Sequence, residues 1–514
     1  MSLAAAEKGR ANPQELALAD ERATLTWSQL DAILNRATNA LLAPPAPERI
    51  AVYAPNSVET VLAHLAGLHA GVSTVPVNFH FTAEELAYVL QDSGASIVFV
   101  GPETLANAIE AAARVGVRKI VAWRSPPTEG VQSWEGWLAQ ASDAEPPTDM
   151  TPRPHLHYTS GTTGRPKGVE TPPTMFARKP TVAEFFDHLK AQSQAMGDRS
   201  PGMVVSPLYH TGPLGSVRML GGGTSLVAMS RFDAEQVLKT IEKFRVKSTM
   251  MVPTHFQRLL ALPEDVRGKY DVSSLLNVSH TGAACPVNVK RAMIEWFGPV
   301  LTEAYGATEA GTTNMITSPE WLAKPGSVGR TLAPFELLVV SEDGQRLGVN
   351  QVGQLYFRDT TGRGIIYHND EAKTRAAHLE PGVFTLGEVG FVDEDDYVFI
   401  TDRVSDMIVS GGVNIYPAET EQVLIKHPGV ADVAVVGAPN VEMGEEVKAL
   451  IVPRDRANPP TAEELDRFCR EHLAGYKCPR SYDVVDDVGR NAMGKVNKRE
   501  LRRRYWPTER TIGG

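Results

Sequence analysis

Apolar positions in the first 125 residues follow two different spacings along the chain. They recur at helical spacing across 30–41 and 58–68, as in helices with one buried face. Short continuous apolar runs at 50–54, 72–77 and 97–100 predict buried strands between the helices. This alternation predicts mostly parallel sheets that are covered by helices.

Two helix starts are marked by a threonine that is followed three residues later by a glutamate. They are Thr82 with Glu85 and Thr461 with Glu464. This spacing is the pattern of a capping box, and it predicts a helix directly after each threonine.

The pattern changes twice in the second half of the chain. Apolar runs at 337–340 and 353–357, bounded by turn residues, predict a small β-rich subdomain between 330 and 400. About 110 residues with their own helices and strands then follow Asp402-Arg403, which predicts a separate small α+β domain. We therefore expect an α/β protein with a large N-terminal domain, 1–402, and a small mobile C-terminal domain, 403–514.

Composition and charge narrow the class of protein. With 514 residues the chain exceeds what one hydrophobic core usually serves, so several domains are expected. The net charge of −10 argues against a nucleic-acid-binding surface as the main function. Three cysteines without metal-ligand spacing fit a reducing compartment, and no apolar run is long enough for a signal peptide or a membrane span. We expect a cytoplasmic location.

The clearest chemical feature is the run Tyr158-Thr159-Ser160-Gly161-Thr162-Thr163-Gly164-Arg165-Pro166-Lys167-Gly168. Its small residues allow backbone N–H groups to approach a polyanion, while the hydroxyls add donors and the lysine adds charge. These properties predict a polyphosphate-binding loop. A flexible Ser/Thr/Gly linker is the alternative, although such linkers rarely carry Arg-Pro-Lys in fixed register after the glycines.

Three further segments have both a chemical and a purely structural interpretation. In 302–309, Tyr305 is a candidate for stacking on a base. Glu309 is a candidate for binding Mg²⁺, which prefers one or two carboxylates plus phosphate oxygens. The alternative is that this segment is simply a strand-to-helix turn. In 279–284 the small residues allow a flat ring to lie against the backbone or simply permit close packing, and His280 is predicted to be a hydrogen-bonded structural histidine. Lys495, on a glycine-flanked loop, is either a solvated charge or a mobile cation that completes a remote site.

Taken together, these motifs identify the chain as similar to the acyl-adenylate-forming superfamily: acyl-CoA synthetases, nonribosomal adenylation domains and beetle luciferases. The resemblance extends from Leu25-Thr26-Trp27 to Gly494-Lys495-Val496. It includes the hydroxyl-rich loop, Tyr305-Gly306-Ala307-Thr308-Glu309 and Leu473-Ala474-Gly475-Tyr476-Lys477-Cys478-Pro479. It also includes Asp402-Arg403 and the segment from Ser410 to Glu419.

The resemblance implies two half-reactions, between which the small domain rotates. In the first, a carboxylate attacks the α-phosphate of MgATP and gives acyl-AMP and pyrophosphate. In the second, the thiol of coenzyme A attacks the acyl-AMP.

The resemblance also implies roles for individual residues. The phosphate loop is expected to hold the β- and γ-phosphates through Thr159, Ser160, Gly161, Thr162, Thr163, Gly164 and Lys167. The adenosine side of the site is expected to include Gly282, Ala283, Ala284, Glu303, Ala304, Tyr305, Gly306, Glu388 and Arg403. The catalytic set is expected to be Lys495, Thr308, Glu309 and His210, with Glu309 as the metal ligand. The pantetheine tunnel is expected to be bordered by Ser410, Gly411 and Gly412.

Two positions depart from the family's pattern. The chain has Leu386-Gly387-Glu388 where the family has Thr-Gly-Asp, and it has Ser405 at the hinge position that is usually Asp or Lys. Glu388 can still accept the ribose hydroxyls, from a side chain one methylene longer. These departures leave open a specialised member that mainly performs the thioester step on acyl-AMP supplied by another enzyme.

The substrates follow from weaker signals. Free coenzyme A is the expected acceptor, because no carrier domain follows Lys495. Ser206 to Pro213 is similar to bacterial ligases for fatty, steroid or polycyclic acids, and the predicted pocket residues Leu208, Leu214, Met219 and Cys285 are apolar or small. We therefore expect a bulky hydrophobic carboxylic acid. An inactive nucleotide-binding scaffold is the third hypothesis, and a homodimer is left open.

Overall fold

The structure is a computed structural model. It describes residues 3–117, 119–159, 166–282, 285, 287–341, 343–403, 408–415, 417–489, 496 and 498–506. For residues 401–403, 414, 418, 422 and 499 it describes the backbone alone.

Helices and strands alternate along the first 170 residues, as the apolar pattern predicts. In chain order they are α1 (Ala4–Ala11), β1 (Leu16–Ala19), β2 (Thr24–Thr26), α2 (Trp27–Leu42), β3 (Arg49–Tyr53), α3 (Val58–His69), β4 (Ser73–Pro76), α4 (Ala83–Ser93), β5 (Ile97–Val100), α5 (Leu105–Val115), β6 (Lys119–Ala122), β7 (Val131–Ser133), α6 (Trp134–Leu138), β8 (Leu156–Thr159) and β9 (Lys167–Glu170).

The alternation continues to residue 331. The elements are α7 (Val182–Ala195), β10 (Gly202–Val204), α8 (Thr211–Gly221), β11 (Leu226–Ala228), α9 (Ala234–Phe244), β12 (Ser248–Met251), α10 (Pro253–Leu260), α11 (Glu264–Arg267), β13 (Asn277–His280), α12 (Val287–Phe297), β14 (Leu301–Ala307), β15 (Gly311–Thr317), α13 (Ser318–Ala323) and β16 (Arg330–Thr331).

Strands predominate from residue 335, and helices return in the last hundred residues. The elements are β17 (Phe335–Val340), β18 (Gly353–Asp359), α14 (Glu371–Ala376), β19 (His378–Glu380), β20 (Val383–Val392), β21 (Val398–Arg403), β22 (Ile408–Ser410), β23 (Val413–Ile415), α15 (Pro417–Leu424), β24 (Val430–Asn440), β25 (Gly444–Pro453), α16 (Ala462–His472), the 3₁₀ turn Gly475–Lys477, β26 (Ser481–Val484) and α17 (Lys498–Arg502).

Two largely parallel sheets form the body of the molecule, and this confirms the predicted fold class. Among the described residues one sheet has nine strands in the order β16-β15-β14-β13-β12-β10-β11-β1-β2, and its six central strands from β14 to β1 are parallel. The other has the order β4-β3-β5-β6-β7 and is parallel throughout. The hydrophobic core lies between them, where every residue of α3 except Glu59 is buried.

Two further sheets follow. Strands β17 to β21 form an antiparallel sheet, the β-rich region predicted between 330 and 400. Strands β22 to β26 form the C-terminal sheet, which packs against α15 and α16. The side chains of 401–403 and residues 404–407 lie outside the described part, so the boundary at 402 and 403 stays a prediction.

Both predicted capping boxes are present. The Thr82 side chain accepts from the backbone N–H of Glu85, and the Glu85 side chain accepts from the backbone N–H of Thr82. Thr461 and Glu464 make the same reciprocal pair at the start of α16. These caps satisfy backbone donors that the first helical turn would otherwise leave unpaired.

Candidate active site

A cavity of about 1070 Å³ runs along one face of the parallel strands β10, β12, β13 and β14 and reaches their carboxyl ends. Neighbouring parallel strands bring their carboxyl ends to one edge of the sheet, which is where ligands bind in open α/β folds. The predicted site residues in its wall are Thr159, Lys167, His210, Gly282, Ala304, Gly306, Thr308, Glu309, Glu388, Gly411 and Gly412. Segments that are far apart in the sequence therefore meet around one space.

Glu303 does not reach this cavity, which corrects its predicted role in cofactor binding. Successive residues of a strand point to opposite faces, so Ala304 lines the cavity and Glu303 points into the core. There the Glu303 carboxylate lies 2.5 Å from Nζ of Lys290 and 3.7 Å from Nε2 of His280. Burial raises the pKa of Glu303 and lowers that of Lys290.

His280 is buried beside this pair, but it is not the hydrogen-bonded histidine that we predicted. Neither ring nitrogen has a hydrogen-bond partner among the described residues. Burial holds the pKa of His280 well below its usual value, with a further contribution from the charge of Lys290. The imidazole is therefore neutral at physiological pH.

Tyr305 is also outside the cavity wall, although it contacts a residue that lines it. Its ring packs against Phe357, with 6.3 Å between ring centroids, and its hydroxyl donates a 2.8 Å hydrogen bond to Oε2 of Glu388. The predicted stacking of Tyr305 on a base stays a prediction. Tyr305 orients the carboxylate of Glu388, which is 5% exposed.

Glu309 and Thr308 follow β14 and face the cavity together. The hydroxyl of Thr211 donates to Thr308 Oγ1 at 3.2 Å, and the hydroxyl of Tyr367 lies 3.4 Å from Glu309 Oε1. Burial raises the pKa of the Glu309 carboxyl, although hydrogen bonds and the charge of Lys167 act in the opposite direction.

The ends of the predicted phosphate loop lie at this carboxylate. Thr159 pairs with Lys167 in the β8–β9 ladder, and the Thr159 side chain hydrogen-bonds to Glu309. Burial lowers the pKa of Lys167, while Asp370 and Glu309 raise it in part. A hydroxyl, an ammonium group and a carboxylate therefore lie together where the loop begins and ends.

This donor set fits Mg²⁺ that arrives with a polyphosphate. Within the described residues, no three His, Cys, Asp or Glu side chains are grouped as metal ligands. One cavity-lining carboxylate suits Mg²⁺, because the ion keeps water and phosphate oxygens as its other ligands.

His210 caps the N-terminus of α8 and lines the cavity. Burial, with a smaller effect of His80, lowers the pKa of His210 to about 4. Its ring is therefore neutral at pH 7, so it can hydrogen-bond to a substrate without adding a charge.

The C-terminal sheet contributes the turn between β22 and β23 to the cavity. Gly411 and Gly412 have positive φ angles of 58° and 79°, and both line the cavity. A Cβ on Gly412 would lie 3.2 Å from the Cβ of Val252, and one on Gly282 would lie 3.6 Å from the carbonyl oxygen of Gly412. The turn thus fits closely against the strand ends, whereas Ser410 is buried outside the cavity wall.

Several predicted residues lie outside the described part of the chain. They are Ser160, Gly161, Thr162, Thr163, Gly164, Ala283, Ala284, Ser405 and Lys495. Arg403 is described by its backbone, which pairs with Glu388 in the β20–β21 ladder.

Only one of the four predicted apolar or small pocket residues lines the cavity. Met219 lines it, whereas Leu208, Leu214 and Cys285 are buried in hydrophobic clusters away from its wall. Other large apolar side chains in its wall include Leu189, Met196, Met203, Leu226, Met250 and Met251.

Sequence reasoning missed Tyr367, which contacts Glu309, and Arg218, which lines the cavity. Tyr367 lies in a loop where no motif marks it. Arg218 had a recognisable signal: seven residues separate it from Thr211 on one helix, which places both on the same face.

Comparisons with known proteins agree with this geometry. Residues 5–364 match the AMP-binding enzyme family, and residues 419–495 match the C-terminal domain of AMP-binding enzymes. A fatty acid–[acyl-carrier-protein] ligase of Streptomyces coeruleorubidus is 33% identical over 96% of this chain and 94% of its own. A 3-[(3aS,4S,7aS)-7a-methyl-1,5-dioxo-octahydro-1H-inden-4-yl]propanoyl:CoA ligase of Mycobacterium tuberculosis is 33% identical over 95% of this chain and 96% of its own.

Solved structures of o-succinylbenzoate-CoA synthetase from Bacillus subtilis are similar to this fold in two ligand states. A double mutant bound to the product analogue OSB-NCoA gives a TM-score of 0.79 at 26% identity, covering 98% of this chain and 99% of that one. The same enzyme in complex with AMP gives 0.63 at 26% identity, covering 98% of each chain.

Proposed function

Because the chain belongs to the AMP-binding enzyme family and is an AMP-forming acyl-CoA ligase, we propose that it activates a bulky hydrophobic carboxylic acid, of fatty, steroid or terpenoid-like type. The acid becomes acyl-AMP, and the acyl group then passes to coenzyme A. The enzyme uses ATP, Mg²⁺ and coenzyme A. The described residues contain no helix that is long and apolar enough to cross a membrane. A cytoplasmic location and a homodimer stay predictions.

One observation carries the proposal: a single cavity joins three chemically different surfaces. Thr308, Glu309 and Glu388 provide a polar surface, a group of methionines and leucines provides an apolar one, and Gly411-Gly412 contributes a third from the C-terminal sheet. A nucleotide, an apolar acid and a thiol carrier each need one of these surfaces.

In the first half-reaction, a carboxylate oxygen of the acid bonds to the α-phosphorus of ATP, and the bond to pyrophosphate breaks. We assign the ribose hydroxyls to Glu388, which Tyr305 orients, and the α-phosphate to Thr308. Glu309 is positioned to hold Mg²⁺, which when bound neutralises charge on the phosphate oxygens. Lys167 and Thr159 are placed at the ends of the loop assigned to the β- and γ-phosphates.

Lys495 is assigned to the same step. A cation close to the α-phosphate and the attacking carboxylate stabilises the charge that develops at phosphorus, which is usually the largest contribution to catalysis. Lys495 lies outside the described residues, so this role rests on the resemblance of Gly494-Lys495-Val496 to the family.

In the second half-reaction, the thiol sulfur bonds to the acyl carbon, the bond to AMP breaks, and the thiol proton is released. We assign the thiol path to the side closed by Gly411 and Gly412. The higher TM-score with the structure bound to the product analogue than with the AMP complex supports this arrangement as the one for thioester formation.

One observation favours the alternative that the chain mainly performs this second step. Glu388 replaces the shorter aspartate expected at the ribose position, and the C-terminal turn lies at the cavity in this structure. Adenylation needs the C-terminal domain to rotate so that Lys495 replaces this turn at the site, and a chain that rests in the present arrangement would therefore favour the thioester step. An inactive scaffold is the least favoured, because Thr308, Glu309 and Glu388 surround the same cavity.

Separate assays of the two steps test the proposal. The protein is given ATP, coenzyme A and a panel of carboxylic acids, and acyl-CoA is measured by mass; in parallel, synthetic acyl-AMP is given with coenzyme A alone. Thioester in both assays supports the full ligase. Turnover of acyl-AMP alone selects the alternative, and no thioester in either assay contradicts both.

A further inference from the structure

A buried arginine lies in the wall of the cavity without a counter-ion. Arg218 is on α8, is 7% exposed, and lines the cavity. Its guanidinium makes no hydrogen bond or ion pair with any described residue, and Nη1 is fully enclosed. Five donors in a planar group therefore have no acceptor in the part of the chain that the structure describes.

The groups that face Arg218 do not compensate its charge. His155 and His157 are close enough to interact with it electrostatically, and burial together with the charge of Arg218 lowers the pKa of His157 to about 3. These histidines are neutral at pH 7. Burial alone lowers the pKa of Arg218 to about 10, and no carboxylate acts on it, so the guanidinium remains a buried cation.

An unpaired buried cation is costly, because its hydration is lost and nothing replaces it. Arg218 is at the cavity surface, so a bound molecule can supply the missing acceptor. Planar guanidinium donors fit the two oxygens of a carboxylate particularly well.

The helix also sets the distance from the reacting end of the substrate. Thr211 contacts Thr308 at the polar end of the cavity, and Arg218 lies seven residues later on the same helix face. The backbones of these residues are about 10 Å apart along the helix axis, but Nη2 of Arg218 reaches back to Gly215, only about 6 Å along the axis from Thr211. An extended chain of roughly five bonds covers that distance.

The path between these two points is open. Gly215 lies between them on α8 and lines the cavity. A Cβ on Gly215 would meet nothing within 4 Å outside its own helix backbone except Nη2 of Arg218, at 3.5 Å. The glycine thus leaves space for an acyl chain that runs from Thr308 to the guanidinium.

We propose that Arg218 binds a second carboxylate at the far end of the acyl substrate, so that the enzyme selects dicarboxylic acids over monocarboxylic acids of the same length. This inference rests on the proposed function, because it assigns the acid that the ligase activates. Apolar side chains of the cavity wall contact the part of the acid between its two carboxylates. We therefore still expect that part of the acid to be hydrophobic.

Binding is tested without catalysis, so that failure of the inference and failure of the proposed function can be told apart. Thermal stabilisation of the full chain is measured, without ATP or coenzyme A, against a dicarboxylic acid of about six to eight carbons, the matching monocarboxylic acid, and the matching acid with a distal ketone. Wild-type protein is expected to bind the dicarboxylic acid between about tenfold and a hundredfold more tightly than the monocarboxylic acid.

Three variants complete the test. Arg218→Met should remove the preference for the dicarboxylic acid and keep binding of the monocarboxylic acid, while Arg218→Lys should retain part of the preference. Arg114→Met, which removes an exposed arginine on α5, is the matched control and should leave the preference unchanged. If Arg218→Met does not fold, the inference is decided by Arg218→Lys together with the wild-type comparison of the three acids.

Dicarboxylate binding that depends on Arg218 supports the inference, whether or not any acid yields a thioester. If no acid yields a thioester, that result contradicts the proposed function and leaves the inference standing. Equal or tighter wild-type binding of the monocarboxylic acid overturns it, as does unchanged dicarboxylate preference in Arg218→Met. Tighter binding of the distal ketone than of the dicarboxylic acid also overturns it.

Discussion

Nζ of Lys477 lies 2.7 Å from Oε1 of Glu85, and this contact ties the C-terminal sheet to the N-terminal body next to the cavity. The same Nζ lies 2.6 Å from Glu419, and the lysine is 1% exposed. Burial acts to lower the pKa of Lys477, but Tyr476, Glu419 and Glu85 together raise it. The amine is therefore charged, and its partner Glu85 belongs to the N-terminal body while Glu419 belongs to the C-terminal part.

Glu85→Gln should weaken this arrangement of the two parts. Glutamine preserves the capping box of α4 but removes the negative charge that faces Lys477, which is costly for a buried pair. We expect thioester formation from acyl-AMP and coenzyme A to fall by about tenfold or more, with a much smaller change in ATP–pyrophosphate exchange. Glu84→Gln, on the same turn, is the control, and an equal loss in both half-reactions would contradict the assignment.

Tyr305→Phe tests the positioning of Glu388. The ring packing against Phe357 is preserved, and only the hydroxyl that donates to Glu388 is lost. The KM for ATP should rise by about tenfold, since the carboxylate loses its orientation, and stability should fall by only about 1 kcal/mol. Tyr356→Phe serves as a control. An unchanged KM for ATP would show that the hydrogen bond does not position the ribose acceptor.

The pair of Glu303 and Lys290 should matter for stability and not for nucleotide binding. Glu303→Ala leaves the ammonium group of Lys290 buried and unpaired, at a cost of about 3–5 kcal/mol in denaturant unfolding. Replacing both partners by apolar residues, as in Glu303→Leu with Lys290→Met, should recover much of that loss. If folded Glu303→Ala lost ATP binding by itself, the correction of its role would be wrong.

Stability should decrease as the pH is lowered through the histidine range. Burial lowers the pKa of His64, His69 and His157 to about 3, against 6.5 for a free imidazole. Between these values the unfolded chain binds protons that the folded chain does not. The contribution of these histidines to stability is therefore fully present above pH 6.5 and is lost as the pH falls toward 3. The loss is up to about 1.4 kcal/mol per pH unit for each histidine. Unfolding free energies measured at several pH values check this. His69→Phe should lower the slope of unfolding free energy against pH by the amount that corresponds to one bound proton.

The fold could be predicted from the sequence because its main signals are local. Helical spacing in 58–68 and the short apolar run at 50–54 each reflect a single element, and their alternation implies parallel sheets. Thr82 and Thr461 mark helix starts through contacts within one turn. These features do not depend on which elements meet in space.

The errors concern tertiary contacts. In β14 the sequence shows that Glu303 and Ala304 face opposite sides, but it does not show which side holds the cavity. Tyr305 has the motif's aromatic ring, yet its neighbours come from β18 and β20, more than forty residues later. The spacing of Arg218 from Thr211 indicates a shared helix face, but only the structure shows that its guanidinium is buried without a partner among the described residues.

The most direct test of the central claim is the stoichiometry of the complete reaction with an accepted acid. Acyl-CoA, AMP and pyrophosphate are measured together after incubation with acid, ATP, Mg²⁺ and coenzyme A. We expect one AMP and one pyrophosphate for each thioester, with acyl-AMP accumulating when coenzyme A is left out. Formation of ADP and phosphate instead, or thioester without any acyl-AMP intermediate, would contradict it.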